Sequence, residues 1–586
     1  PSMNGFFVLT QDLDLSTIEN FSPIGSASKP FTGYFEGNGH TISGLTIDAA
    51  AANDQGLFAA LGKNATVKSI KFDNPTIVGK NNVGVLAGTS TGAEVVDCSV
   101  TAGSVTGEEF VGSLIGKNDA KANIDNFAST GVDISGLTNI GGTVGANLGK
   151  SVIYASAIEA AKLSASGFDS FIGGSVGLND GSYIFGLSTL NGEIDGFNTN
   201  GGAVAHNTNG GEVLQIASDM AVSGYDYTGG LIGLNEGNVL ETTVTGNVLG
   251  HSYVGGLIGS NATGTSVAIC RSFGQVDGQN YVGGLIGDNF GGVQYAFAIG
   301  EVTGDDTVGG LIGSNAGDLS DVYAMGSPWG DSYVGGLVGY QDAGTIERAY
   351  AAGRLSEGGV YSGGLIGANN GGKVIDCYWN TETTQRDNSE GGIGVTSEEM
   401  KSAATFANWD FEDVWSISEG NSFPYFDFSI EPLWFKTFVT GTPGCSVQII
   451  GPPDAKYQLG MELTLIALPA EGTIFRGWRG DVSDSLSSQT TIKIDNHKVV
   501  TAIFSKTYEI WTLDDLQNLP EADLNGKYLV MADIDASETR NWNDGLGFAP
   551  IGKNSSFTGI LDGQGFTVSN MYIDRSEEEY AGLFAS

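Results

Sequence analysis

The apolar residues of this chain fall in runs too short for helices. Between Gly274 and Gly300 they form Gln275-Val276-Asp277, Tyr281 to Ile286 and Val293 to Ile299, bounded by Asp-Gly, Asn and Gly-Gly. Such runs, alternating apolar with polar or continuously apolar, predict three short strands separated by tight turns. The pattern recurs through a repeated phrase, Tyr-Val-Gly-Gly-Leu-Ile-Gly, clean at Tyr253 and Tyr281 and varied at Tyr227, Thr307, Tyr333 and Tyr361. Upstream variants put the first glycine of the phrase at Gly84, Gly112, Gly141, Gly173 and Gly201, and successive copies lie 26 to 32 residues apart. A fixed period of this size marks stacked units that bury their apolar faces only against each other. Three strands per unit predict an all-β, parallel β-helix with coils of 26–28 residues, right-handed by crossover chirality. A dozen coils at about 4.8 Å each would make a rod on the order of 60 Å long.

One position speaks for stacking by itself. Two residues past the last glycine of the phrase stand Asn118, Asn147, Asn179, Asn207, Asn235, Asn261, Asn289, Asn315 and Asn369, with Gln341 in the remaining copy. An amide both donates and accepts, so these side chains are expected to form a hydrogen-bonded ladder along one turn. The alternative use of that edge is capture of a polar ligand. Cys98, Cys270 and Cys377 fall at matching points where other coils carry Ala296, Val322 or Ala349, which predicts a small inward slot. Cys98 and Cys270 would lie six coils apart, roughly 29 Å, so no disulfide is expected.

The solenoid is expected to span residues 1–378, and residues 379–432 read as an aromatic C-terminal cap. Glu398 to Phe406 reads as a short helix there, and Trp409, Phe411, Trp415 and Tyr425 supply bulk. An open solenoid end exposes strand edges and core and needs such a cover; an aromatic platform for carbohydrate is the competing idea. Residues 433–505 change to alternating strands and predict a small antiparallel β domain around Trp478. Residues 506–586 read as an N-terminal cap, with Leu513, Leu516 and Leu519 on a short helix, and the first coils of a second β-helix. Phe21 to Phe58 reappear as Phe548 to Phe584, so the parent protein is expected to carry a further solenoid downstream.

Charge narrows the function. The net charge is −41, from 67 acidic and 26 basic residues, and only Arg271 is basic between Leu163 and Glu347. Nucleic-acid binding needs clustered Lys and Arg, so that class drops out. An acidic, self-repelling surface suits a secreted or cell-surface protein in brine or among divalent cations. No apolar run reaches the length of a membrane span.

The Gly-Gly-Leu-Ile-Gly phrase resembles the GLUG motif of large bacterial and archaeal surface proteins, including adhesins and the non-catalytic parts of immunoglobulin-A-specific metallopeptidases. Asp376 to Glu382, Trp409-Asp410-Phe411 and Phe423-Pro424-Tyr425 look like the usual end of such arrays. Phe475 to Asp481, with Val500 to Phe504 behind it, is similar to divergent internalin-type B-repeats. These resemblances imply a modular cell-surface or secreted protein and bring no catalytic residue with them.

The chemistry-bearing residues are few. A zinc peptidase needs His-Glu-x-x-His, and His40, His206, His251 and His497 are not so spaced. A β-helical glycan hydrolase needs two carboxylates on one groove, for which Asp305 with Asp331, or Asp277 with Asp305, are the candidates. Asp277, Asp305, Asp306 and Asp331 are also candidate ligands for a structural Ca²⁺, although a solvated turn explains them as well. No other cofactor is expected. The reading is a non-enzymatic extracellular structural or adhesive protein, a rigid segment of a stalk, fibre or matrix layer. Its expected partners are other copies or modules of the same surface protein and a surface glycan or protein. The alternatives are a β-helical carbohydrate-active or glycan-binding protein and a head-to-tail filament subunit.

Overall fold

The computed structural model describes residues 3–356, 360–406, 408–426, 435–440, 445–450, 461–470, 472–479, 482–494, 498–519, 524, 526–552, 557, 559–575 and 581–585. The chain divides into two compact units, residues 1–426 and 427–586.

The first unit is a parallel β-solenoid. Twelve strands from Phe58–Leu61 to Ile366–Asn369 form one sheet, here the asparagine sheet. Eleven from Asn81–Val83 to Val360–Gly363 form a second, and eleven from Thr46–Asp48 to Pro328–Trp329 a third. The remaining strands of the solenoid join a fourth, long sheet. Register is kept from coil to coil: Asn207 pairs with Asn235, Asn235 with Asn261 and Asn261 with Asn289.

The coil has four strands where the pattern predicts three. Tyr281 to Ile286 is not one strand: Asn280–Gly283 and Ile286–Asn289 belong to different sheets, with Gly284 and Leu285 turning the corner. The glycine pair makes that corner. A Cβ on Gly283 would collide with the carbonyl oxygen of Ile286, and one on Gly284 with that of Gly310 in the next coil. Leu285 and Ile286 fill the interior behind it, both fully buried. The repeated phrase is therefore a corner with its own piece of core.

A second corner bends the long sheet. Gly292–Ala298 is a single strand in which Tyr295 has φ 51°, and the matching residues Asp321, Arg348 and Asp376 share this left-handed conformation at 52°, 49° and 50°. One apolar core runs inside the coils from Phe31 to Trp379. A satellite of Val248, Val254, Val276, Val282, Val302 and Val308 fills a side lobe between the second and third sheets.

The aromatic segment after Tyr378 does two jobs. Trp379 belongs to the solenoid core and lies against Gly364, and Ile393–Val395 pairs in parallel with Tyr378–Asn380, so the last coil is closed locally. A one-turn helix, Thr381–Thr384, starts on Asn380, whose side chain accepts from the Glu382 and Thr383 amides. Residues 396–406 and 408–426 then lie along the side of the solenoid rather than over its end. The expected helix at 398–406 is two 3₁₀ turns, Glu399–Lys401 and Ala403–Thr405. Outward-facing tyrosines of the long sheet draw the segment to the side, as described below.

The second unit begins with a small β module. Ser446–Ile450, Met461–Leu468 and Gln489–Ile494 form an antiparallel sheet. Thr473–Arg479 pairs antiparallel with Lys498–Ile510, but Phe435–Thr440 joins that strand in parallel, so the module is mixed. Trp478 is 5% exposed among Leu463, Leu465, Ile492, Val500 and Phe504, and its indole N–H donates to Ser487 O at 2.8 Å. Lys498–Ile510 runs straight past the expected boundary at 505/506, and its last residues pair in parallel with Lys527–Val530. That strand pairs in turn with Ile560–Asp562. The helix Leu513–Gln517 has a reciprocal capping box between Thr512 and Asp515, and Leu516 and Leu519 are buried. The repeated opening keeps its pairing: Ile24 bridges Phe58 in the first unit, and Ile551 bridges Phe584 in the second.

Candidate functional site

The asparagines form a continuous chain. Each side-chain amide donates to the next oxygen: Asn118 to Asn147 at 3.0 Å, Asn147 to Asn179 at 3.0 Å and Asn179 to Asn207 at 2.8 Å. Asn207, Asn235, Asn261 and Asn289 continue at 2.8, 2.8, 2.8 and 2.7 Å, and Asn315 donates to Gln341 at 3.0 Å. The second N–H of several turns to a carbonyl of its own loop, as Asn289 does to Gly291 O at 3.0 Å. All of these side chains are buried to within 1%. An amide ladder so enclosed holds the turn in place and presents nothing to a ligand. Asn369 stands outside it. The Gln341 amide turns to Ala343 O, and Asn369 donates to Gly372 O and Glu390 O. At the other end Ser90 takes the register position before Asn118, and both Ser90 Oγ and Asn118 Oδ1 are buried without a partner.

A second ladder went unread in the sequence. The residue that opens the phrase sits in the left-handed region in every downstream coil: Tyr227, Tyr253, Tyr281, Thr307, Tyr333 and Tyr361, with φ from 45° to 59°. For a residue with a Cβ this costs roughly 1–2 kcal/mol. The tyrosines recover part of it by stacking. Tyr227 and Tyr253 lie 4.8 Å apart, Tyr253 and Tyr281 5.0 Å, and Tyr333 and Tyr361 5.0 Å, with planes 3° to 7° apart. Their one-coil spacing was visible in the sequence; that the rings stack outside the core was not.

The aromatic tail is fixed by its polar atoms as much as by its rings. Phe297, Tyr323, Tyr350 and Tyr378 are in register on the outward side of the long sheet. Tyr323 and Tyr350 stack at 5.0 Å, and Phe406, Trp409, Trp415 and Phe426 close over Tyr323, Tyr350 and Tyr378. Tyr350 donates to Pro424 O at 2.7 Å, Trp409 to Asp376 O at 2.9 Å and Trp415 to Asp321 Oδ1 at 3.0 Å. Asp321 is 3% exposed and held by a two-pronged pair with Arg348 at 2.7 and 2.8 Å, which raises the Arg348 pKa. Burial raises the Tyr350 hydroxyl well above its usual range. This strap ties three consecutive coils together, and the rings of Phe406, Trp409, Trp415 and Phe426 are used up in packing, whereas Tyr425 is 40% exposed.

The acidic candidates do not converge. Asp331 N donates to Asp305 O at 3.0 Å, so these two are neighbours on one exposed turn. Asp277 pairs instead with Leu249 and Thr303 in the third sheet, so it is not the counterpart of Asp305. Asp306 lies between Asn280 and Ser332 in the second sheet. Among the described residues, no three of His, Cys, Asp and Glu come together as metal ligands. A depression of about 460 Å³ over the third sheet is lined by Glu193, Asp195, Ser223, Asn247, Gln275 and Asp277. Of the histidines, His40 pairs with Asp12 at 3.1 Å, His206 with Glu236 at 3.6 Å and His251 with Asp226 at 3.9 Å. Burial lowers the His206 pKa; His497 lies outside the described residues.

The four cysteines are free. Burial pushes the Cys98 and Cys377 thiols up to about 12 and Cys270 to about 11. At neutral pH these three are inert apolar filling.

Residues 330–356 match the family model of the GLUG motif. That is one coil, Gly330 to Ser356. Residues 436–508 match the model of the divergent InlB B-repeat domain, which covers the small mixed β module. The resemblances read from the repeated phrase and from Phe475 to Asp481 therefore hold. Halomucin of Haloquadratum walsbyi is 39% identical over 127 residues, 20% of this chain and 1% of halomucin. A candidate Gly-rich membrane protein of Evansella cellulosilytica is 34% identical over 92 residues, 14% of this chain and 10% of that protein. An immunoglobulin A1 protease of Streptococcus pneumoniae is 27% identical over 188 residues, 28% of this chain and 10% of the protease. The chain thus spans a tenth or less of the relatives it matches. A solved structure of a candidate immunoglobulin A1 protease from Bacteroides ovatus covers 73% of this chain and 87% of its own at 15% identity, with a TM-score of 0.16. No helix among the described residues is long and apolar enough to cross a membrane.

Proposed function

We propose that this chain is a load-bearing, non-enzymatic segment of a large extracellular or cell-surface protein, and that it serves adhesion by holding binding surfaces away from the cell. The observation that carries this reading is the unbroken amide ladder from Asn118 to Gln341, parallel to a continuous core. These polar groups are turned inward, where they fix the distance between coils. The GLUG and InlB B-repeat matches support a modular surface protein, and the Gly-rich membrane relative agrees with it. The net charge of −41 keeps such a surface hydrated and self-repelling. Its partners on this reading are further modules of the same protein and a surface glycan or protein.

Electron microscopy of the intact protein, with force spectroscopy on the same sample, tests this. Straight rods that unfold in repeated steps of about one coil are expected. Compact particles that yield in a single low-force event would overturn the reading.

The depression over the third sheet favours a second reading, a glycan-cleaving enzyme using Glu193, Asp195 or Asp277. Release of reducing ends from a neutral or acidic polysaccharide, abolished by Asp277→Asn, would establish it.

A further inference from the structure

The tyrosine ladder has one missing ring. At the position that opens the phrase, Tyr227, Tyr253 and Tyr281 are followed by Thr307 and then by Tyr333 and Tyr361. Within a stack each ring covers the face of the next, so faces are free only at the ends. The downstream face of Tyr281 and the upstream face of Tyr333 are two such ends, and they look at each other across the Thr307 coil. With rings 4.8 to 5.0 Å apart per coil, Tyr281 and Tyr333 are about 10 Å apart, which leaves room for one ring at the ladder's own spacing. Both walls are braced from behind, Tyr281 by Tyr253 and Tyr333 by Tyr361 and edge-on by Tyr340 at 5.7 Å.

On the adjoining strand the residue seven places on is Leu234, Ser260, Asp288, Ser314, Tyr340 and Ala368 in successive coils, so Ser314 stands beside Thr307, between Asp288 and Tyr340. The foot of the slot is polar. Thr307 is 6% exposed and donates to Asp306 Oδ1 at 3.2 Å, and Ser314 is hydrogen-bonded to Asp288.

We propose that this slot binds one pyranose ring of a neutral glycan, sandwiched between Tyr281 and Tyr333, with its hydroxyls directed at Asp288, Asp306 and Ser314. Two parallel π faces match the C–H faces of a sugar ring. The carboxylates accept from hydroxyls, and together with the net charge they repel acidic sugars. A flat aromatic side chain would use the faces but leave the polar floor unsatisfied. The proposal gives the adhesive part of the function above a chemical class of ligand; a rod could exist without it, and binding could occur on a particle that is not a rod.

The test is saturation-transfer NMR on the full chain with cellohexaose, xylohexaose and chitohexaose. Transfer to at least one of them is expected, falling at least tenfold in Thr307→Tyr, which completes the stack and fills the slot, and in Tyr281→Ala. Thr307→Tyr should melt no lower than the parent, so its loss of binding is not unfolding. Three outcomes would overturn the proposal: no transfer from any of the three sugars, transfer that survives Thr307→Tyr, or binding of the peptide Gly-Trp-Gly with none of a sugar.

Discussion

The solenoid and the small β module reach stability by opposite means. In the solenoid a residue meets its own counterpart one coil away: Asn on Asn, Tyr on Tyr, Val on Val. The module around Trp478 has no repetition, and four strands share one cluster of eight buried side chains. The first arrangement spreads cohesion along a line, so a local defect harms two neighbours. The second concentrates it, so one side chain can decide whether the unit folds. In the stalk proposed above the β module is the joint, and this makes it the part that yields first.

The largest expected effect falls on the joint. Trp478→Ala removes the centre of its core and the bond to Ser487, a loss of about 3–5 kcal/mol. Calorimetry should show the transition of residues 436–508 collapse while the solenoid transition stays within a degree; a matching fall in both would erase the contrast.

Next comes the ladder. Asn261→Leu leaves one N–H of Asn235 buried without an acceptor, at about 1–3 kcal/mol, and leaves Asn289 Oδ1 only the 3.3 Å bond from Gly291 N. Hydrogen exchange should quicken in the coils on either side and leave those three or more coils away unchanged. Exchange that quickens along the whole solenoid would mean the defect is not local.

The pH response is smaller. The folded Cys270 thiol lies above its ordinary value, so its contribution is complete below about pH 9 and is lost as pH rises toward about 11. At pH 10 this one thiol costs about 1.4 kcal/mol. The stability gap between the parent and Cys270→Ala should therefore narrow by that amount between pH 8 and pH 10.

The smallest effect is a gain. Ser90→Asn would give the buried Asn118 oxygen the donor it lacks and add a rung, stabilising the solenoid by about 1 kcal/mol. Thermal denaturation checks it; a drop would show that the coil at Ser90 is too narrow for the amide.

The sequence by itself determined what is periodic. Glycine pairs at one-coil spacing imposed the parallel stack, because only a repeating close approach of backbone demands glycine at each recurrence. Asparagine at one phase of that repeat determined the ladder, because an amide that donates and accepts can satisfy itself only against a copy of itself. Phe475 to Phe504 announced the second module in the same way, by a pattern of alternation around one tryptophan.

Tertiary structure decided where the period breaks. The Gly-Gly pair is a corner between two sheets rather than the middle of one strand, since the clashes that exclude side chains come from the Ile286 carbonyl across the corner and the Gly310 carbonyl in the next coil. Asn369 leaves the ladder in the last coil, where its amide donates to Gly372 O and to Glu390 O of the closing segment. The tail binds the side of the rod because Tyr323 and Tyr350 face outward, with buried Asp321 waiting for the Trp415 N–H. Each of these outcomes depends on atoms brought together across coils, and spacing along the chain carries no record of which face a ring or a carboxylate will turn to.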